Sequence, residues 1–453
     1  MSVRRVVLGV VAAASVAVAV AATAPPVVAQ PAFPAIPEFD TGFYSPEQSI
    51  VSAAEPGQII ASRPVNVANL GVLPVNVDAW QLSYRSNDSR DDAIPAVATV
   101  LKPRGYVPGR PLLSFQIAED SLGAYCASSY VLQQGSIPWP LTGAITGGAQ
   151  FLEIQAALAQ GWAVVVPDHQ GPNSAFAAGP LAGRITLDGI RAAENFDPLG
   201  LDGRETKVGM MGYSGGSIAT GHAAELHESY APDLNIVGAA EGGIAADVGA
   251  LVDNSNSALG AGIVASGIIG VSREDPELAQ FIDQKLNPLG KAMFGAKQNL
   301  CIGWNSAIAP FVNLKGLFDT PGDPLREPVA QSALDKLRMG KSVPRFPMYM
   351  YQSNPDWLVP VGPVNTLVDT YCADPNASVT YTRDHFSEHL TLEVVAAPSA
   401  LLWLRDRFAG VPAEPGCRTT DVGSMALDSR TWPVWQDVVG DLVAGLFGQP
   451  IGS

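Results

Sequence analysis

Hydrophobic positions along the chain fall into two successive rhythms. Trp80 to Arg85 alternates between apolar and polar, the run Ser86 to Asp92 is polar, and Ala96 to Leu101 is apolar up to Pro103 and Gly105. That pattern predicts two strands joined by a hairpin, and Leu112 to Ile117 predicts a third strand. Farther on, the strands become short continuous apolar runs followed by helical periods. Trp162 to Val166 ends at Pro167 and precedes a helix over Ile185 to Ala193; Val208 to Met211 precedes a helix from Ser214 to about Tyr230; Ile236 to Ala240 follows. Phe346 to Tyr351 and Val379 to Thr382 are the last predicted strands, and Leu390 to Phe408 the final core helix. Strands apolar on both faces, alternating with helices, predict an α/β fold: a mostly parallel sheet covered by helices on both sides.

Two stretches depart from this rhythm. Residues 30–70 carry Pro31, Pro34, Pro37, Pro56 and Pro64 with little periodicity and predict an extended N-terminal arm. Residues 241–343 lack the strand-helix alternation but contain helical faces. Leu278, Phe281, Ile282 and Leu286 share one after the start signal Ser272 to Pro276, and Ala330, Leu334 and Leu337 share another before Gly340. These residues predict a helical cap inserted between a first core part, 71–240, and a second, 344–453, which ends in a C-terminal tail.

The first residues change the compartment. Arg4 and Arg5 precede an uncharged apolar run from Val6 to Ala22, and Val27, Val28 and Ala29 supply small residues for cleavage after Ala29, so residues 1–29 read as a signal peptide. No later run reaches about 18 uninterrupted apolar residues, so the exported chain is expected to be soluble, outside the cell or in its envelope. The formal charge is -16, and loss of Arg4 and Arg5 leaves 25 basic against 43 acidic residues, or -18. Such a surface repels phosphate backbones and anionic membrane faces. Nucleic acid is therefore excluded as a partner, and a neutral substrate is expected. Cys126, Cys301, Cys372 and Cys417 are an even count without metal-site spacing, which predicts two disulfides. Of three possible connectivities, Cys126 with Cys301 and Cys372 with Cys417 is preferred, the second pair closing a modest local loop.

Chemistry enters at Gly212-Tyr213-Ser214-Gly215-Gly216, a GxSxG pattern lying between the strand Val208 to Met211 and a helix. A nucleophile elbow requires that context, with small residues around a strained turn that exposes the serine near the positive end of the helix. A serine hydroxyl also needs a base, and there are five histidines. The order serine, acid, histidine leaves His385 and His389, of which His389 is favoured because it directly precedes the last core helix. His222 and His227 fall on the helix behind Ser214. His169, after a strand end, is a candidate pocket residue. Asp356, at the exit of the strand Phe346 to Tyr351, is the favoured acid. Asp374 reads as a turn residue, Asp369 lies in a helical stretch, and Asp384 is close in sequence to His389.

The elbow and its helix, from Gly212 to Leu234, resemble the secretory lipase family. Ala118 to Tyr130, Pro167 to Phe176, Leu187 to Ala192, Pro355 to Pro360 and Ser387 to His389 are similar to it as well, in the same order along nearly the whole exported chain. The resemblance implies an α/β-hydrolase fold with a helical cap between nucleophile and acid, and a triad at Ser214, Asp356 and His389. It further implies an oxyanion hole from the backbone amides of Asp120 and Gly215, and the disulfides already preferred. An HGGG loop, the commoner lipase arrangement, is absent from the sequence, and Asn354 and Pro355 stand before the acid where relatives differ.

The expected function is hydrolysis of carboxylic esters, above all triacylglycerols, through an acyl-enzyme and without metal or organic cofactor. Transient contact with a lipid interface is compatible with it. The same triad would serve a short-chain esterase or deacetylase, a cell-envelope acyltransferase or a serine peptidase. A non-catalytic secreted binding protein is the rival from another class.

Overall fold

The computed structural model describes residues 33–105 and 107–451, so the leader expected over residues 1–29, with its cleavage near Ala29, lies outside the described residues. Ten strands build one sheet: β1 (Ile59–Pro64), β2 (Asp78–Asn87), β3 (Ala93–Lys102), β4 (Leu112–Gln116), β5 (Ala163–Pro167), β6 (Val208–Tyr213), β7 (Ile236–Gly242), β8 (Met348–Ser353), β9 (Ser378–Asp384) and β10 (Gly416–Val422). Their order across the sheet is β1-β2-β3-β5-β4-β6-β7-β8-β9-β10. The first three strands and the β3/β5 pair are antiparallel, and every pairing from β5 onward is parallel. The polar run after β2 closes the predicted hairpin, where the Asp88 carboxylate accepts the amides of Arg90 (2.8 Å) and Asp92 (2.9 Å).

Helices α1 (Ile145–Ala159), α2 (Gly179–Glu194) and α3 (Gly215–Tyr230) precede an insertion between β7 and β8. The insertion carries α4 (Val248–Ser255), α5 (Ala261–Glu274), α6 (Pro276–Lys285), α7 (Pro288–Lys297), α8 (Ile302–Ala307) and α9 (Pro328–Leu337). Helices α10 (Val361–Cys372), α11 (His389–Phe408) and α12 (Trp432–Leu446) complete the chain. Successive side chains of β6 explain the double cover. Val208 and Met210 pack with α2, α3 and α10, whereas Met211 and Tyr213 pack with α1, α11 and α12. A strand between two apolar layers has no polar face to show, which is why its sequence is a continuous apolar run.

The insertion has its own apolar cluster, including Val264, Ile269, Leu278, Ile282 and Leu337, which Leu122, Phe176, Ile218 and Leu358 join from the sheet side. Asp275 caps α6 by accepting the amides of Glu277 and Leu278, consistent with the start read at Ser272 to Pro276. A disulfide links Cys126 to Cys301 of the insertion, and a second links Cys372 to Cys417, with Cα separations of 5.5 and 5.9 Å.

Three features differ from the sequence reading. The arm expected over residues 30–70 is not extended where it is described: helices Thr41–Tyr44 and Gln48–Ala53 bury Phe43 and Val51, and β1 hydrogen-bonds along β2. Pro37 opens a short helical turn and Pro64 ends β1, so these prolines punctuate short elements and do not mark an extended arm. The tail contains β10 and α12; β10 is an exposed edge strand, so no apolar alternation announces it. Helix α1 went unread because it buries Gln150, Glu153 and Gln155 together with its apolar residues, which erases an amphipathic stripe.

Candidate active site

Ser214 stands between β6 and α3 with φ 52° and ψ -119°, a setting that costs a serine on the order of 1–3 kcal/mol. The flanking glycines make the turn possible. A Cβ on Gly212 would overlap Thr220 Oγ1, and one on Gly216 would overlap the Gln116 carbonyl at the end of β4. The Ser214 amide donates to the Gly242 carbonyl of β7 (2.9 Å), so the neighbouring strand fixes the turn.

His389 is the first residue of α11. The preceding Glu388 accepts the amides of Leu390 and Thr391 and also the Trp357 indole N–H (2.9 Å), which secures the helix start. His389 Nε2 lies 2.9 Å from Ser214 Oγ, and its Nδ1 lies 2.8 Å from Asp356 Oδ2. The Tyr213 hydroxyl donates to the His389 carbonyl (2.6 Å).

Asp356 follows β8, after a cis Asn354-Pro355 bond. Its Oδ2 also accepts the Ser353 hydroxyl (2.7 Å) and Gln352 Nε2 (3.1 Å), while Oδ1 accepts the amides of Leu358 (2.9 Å) and Val359 (2.8 Å). Burial pushes this carboxyl's pKa up. The hydrogen bond and charge of His389, with the Val359 amide and Ser353 hydroxyl, outweigh burial and hold the pKa below the ordinary value.

Asp120 lies beyond β4 with φ 46°. Its carboxyl is packed against the Cα of Gly215, and its Oδ1 is buried without a hydrogen-bond partner among the described residues. Burial raises its pKa to about 7, against the opposing charge of His389. Among the described residues, neither the Asp120 nor the Gly215 amide is engaged by a backbone acceptor outside helix and strand ladders.

Ser214, Gly215 and Asp120 open on a cavity of about 110 Å³ that runs into the insertion; apart from Asp120, Ser214 and Lys315, its lining is apolar, with Phe176, Ile218, Ile268, Phe281 and Leu334 among it. Lys315 is paired with Asp253 and Asp323, both at 2.6 Å. The arrangement offers a hydroxyl, a base, a buried anion behind the base and two amides, all at the end of an apolar space. No group of three or more metal-ligating side chains occurs among the described residues.

The other candidates lie elsewhere. His169 does not line this cavity; it is hydrogen-bonded to the Ile117 carbonyl (2.8 Å), and burial lowers its pKa to about 4. His222 and His227 bond to the carbonyls of Ile218 (2.9 Å) and Leu234 (3.0 Å). His385 is paired with Asp421 of β10 (2.6 Å). Asp369 is exposed on α10, and Asp374 accepts the Asn376 amide (2.9 Å) in a turn. Asp384 accepts the amides of Phe386 (2.9 Å), Ser387 (2.8 Å) and Met425 (2.7 Å), and so shapes the loop leading to His389. Sequence reasoning missed Gln352, which holds Asp356, and the glutamines around Asp120. The residue type alone gives no signal, although Gln170 belongs to the similar segment Pro167 to Phe176.

Comparison with known proteins shows the family and the fold. The family described as "Secretory lipase" matches residues 137–416. "Lipase A" of Arthroderma benhamiae is 34% identical over 426 residues, covering 92% of this chain and 89% of that protein. A Mycobacterium tuberculosis protein named "Probable inactive lipase MT1628" is 36% identical over 381 residues, covering 82% of this chain and 83% of its own. The crystal structure of Candida antarctica lipase A in its closed state superposes with a TM-score of 0.81 at 30% identity, covering 93% of this chain and 99% of that one. The fold is that of the α/β-hydrolases.

Proposed function

The chain belongs to the secretory lipase family of serine hydrolases, and from that premise we propose that it hydrolyses neutral glycerides outside the cell through a Ser214-His389-Asp356 triad. Export is in keeping with a secretory family and with two disulfides, and no described helix is long and apolar enough to cross a membrane. The observation that carries the reading is the hydrogen-bonded line from Asp356 through His389 to Ser214, ending at an apolar cavity.

In this mechanism Ser214 Oγ attacks the ester carbonyl while His389 Nε2 takes its proton. Asp356, held as an anion by five hydrogen-bond donors, keeps Nδ1 protonated and stabilises the imidazolium that forms. Negative charge gathering on the carbonyl oxygen is met by the amides of Asp120 and Gly215 and by the positive end of α3. His389 then protonates the leaving alcohol, and a water attacking the acyl-enzyme repeats the sequence to release the acid. The acyl chain lies in the apolar cavity. A 36% identical relative bears the name of an inactive lipase; in support of activity here, Ser214, His389 and Asp356 stand within hydrogen-bonding distance.

The test is a series of nitrophenyl esters from acetate to palmitate. Each methylene that enters the cavity contributes up to about 0.8 kcal/mol, so kcat/KM is expected to climb from acetyl to a medium or long chain. A maximum at acetate with no later rise would leave a short-chain esterase instead.

A further inference from the structure

Gln170 lies three residues beyond the end of β5, and its side chain reaches the turn that follows β4. Its Nε2 donates to the Glu119 carboxylate (2.8 Å) and to the Ser121 carbonyl (3.0 Å), while its Oε1 accepts the Ser121 amide (3.3 Å). One buried side-chain amide thus grips the residues on both sides of Asp120. The rest of the turn is framed in the same manner. His169 binds the Ile117 carbonyl, Gln150 accepts the Ala118 amide (2.7 Å), and the Ser121 hydroxyl donates to the Glu119 carbonyl and accepts the Ile302 amide (3.0 Å). Asp120 itself holds φ 46°, a conformation that persists only where its surroundings over-determine it.

We propose that Gln170 is a positioning residue for ester hydrolysis, fixing the Asp120 amide where the oxyanion forms. The inference rests on the reading of Asp120 and Gly215 as the oxyanion donors. Such donors act when they lie about 2.7–3.1 Å from the oxygen as it becomes charged, and a displacement on the order of 1 Å loses about a hundredfold. Gln170 does not line the cavity, so its effect is expected to fall on the transition state and not on the binding of the ground state. A glutamine that merely satisfied buried polar groups would alter stability and leave this distinction untouched.

Two variants test it. Gln170→Met keeps length and removes all three hydrogen bonds. On nitrophenyl butyrate its kcat is expected to fall about 10- to 100-fold with KM within about threefold. A trifluoromethyl ketone, which forms a tetrahedral adduct, should weaken by the same factor, while an alcohol of equal chain length binds as to wild type. Gln170→Glu supplies a donor again once protonated, beside the buried Glu119 carboxyl, on which the charges of Asp168 and Asp120 also bear. Its kcat relative to wild type therefore rises as pH falls, whereas the Gln170→Met ratio stays flat; if Gln170→Met does not fold, this ratio alone decides. A kcat within about threefold of wild type, equal weakening of ketone and alcohol, or a flat Gln170→Glu ratio overturns the proposal. Ser214→Ala separates the two levels: full activity there removes the triad itself, whereas an inactive Ser214→Ala beside a fully active Gln170→Met removes only the role of Gln170.

Discussion

The elbow at Ser214 and the turn at Asp120 solve one problem in two ways. Each follows a strand of the parallel sheet, β6 and β4, which are direct neighbours, and each holds a non-glycine residue at positive φ, 52° and 46°. The elbow is built mainly from its own sequence: Gly212 leaves room for the helix, Gly216 leaves room for the end of β4, and the Ser214 amide finds the adjacent strand. The turn is built from a distance. Gln150, His169, Gln170 and Ile302 reach it from α1, the exit of β5 and the insertion, and the Leu122 amide donates to Leu300 (3.0 Å) beside the Cys126–Cys301 disulfide. A locally built feature survives as a motif, whereas an assembled one leaves only scattered residues in the chain.

The largest effect is expected at the elbow. Ser214→Ala should lower ester hydrolysis on the order of 10⁴-fold or more, because a hydroxyl has been removed and no packing group lost. His389→Ala should match it. A Ser214→Ala enzyme with a tenth of the wild-type rate and an unchanged melting curve would remove the nucleophile from the mechanism.

That contrast also explains what could be read from the sequence. GxSxG between an apolar strand and a helix points to Ser214, a strand exit points to Asp356, and the start of the last core helix points to His389, because parallel strands deliver their loops to one edge. The mostly parallel sheet followed from continuous apolar runs for the same reason. Asp120 and Gly215 came from resemblance to a family; no spacing in the chain identifies Asp120. Its supports escaped because Gln150 sits on a helix without an amphipathic stripe and Gln170 in a loop. Edge strand β10 was invisible because solvent, unlike a core, imposes no periodicity.

A smaller effect tests whether elbow and turn are mechanically joined. The Asp120 carboxyl occupies the space that a Cβ on Gly215 would need. Gly215→Ala should therefore push the turn away from the elbow, lowering kcat about 10- to 100-fold with little change in KM. Steady-state kinetics at wild-type kcat would mean that the Asp120 side chain moves aside freely and that the two regions are independent.

Beneath the elbow lies a buried acid whose effect is on stability. Glu241 of β7 pairs in register with Gly212, is 0% exposed, and has no hydrogen-bond partner for either carboxylate oxygen among the described residues. Burial first, and the charge of Glu225 second, push its pKa up to about 8. In the unfolded chain a glutamate titrates near about 4.3, so the folded state holds this proton longer. Its contribution to stability is complete below about pH 4.3 and is lost as pH rises through about 8. Glu241→Gln should then melt as wild type does near pH 4 and several degrees higher near pH 9. Parallel melting curves across that range would mean the carboxylate is accommodated without penalty.

The smallest effect is expected at His385, four residues before the proposed base His389. Its ring is exposed and bonds to Asp421 on edge strand β10, and Arg383 holds the same carboxylate (2.7 Å). The loop between His385 and His389 does not depend on that ring, because the buried Asp384 carboxylate accepts the amides of Phe386, Ser387 and Met425. His385→Ala thus removes a surface pair of the kind worth about 0–1 kcal/mol and leaves the backbone that aims His389 intact. Its kcat/KM should stay within about threefold of wild type over the same ester series that His389→Ala abolishes. If His385→Ala lost activity as His389→Ala does, the path from β9 to α11 would have to be held by long-range contacts, as the Asp120 turn is, and the line drawn between a locally built elbow and an assembled turn would no longer divide this site.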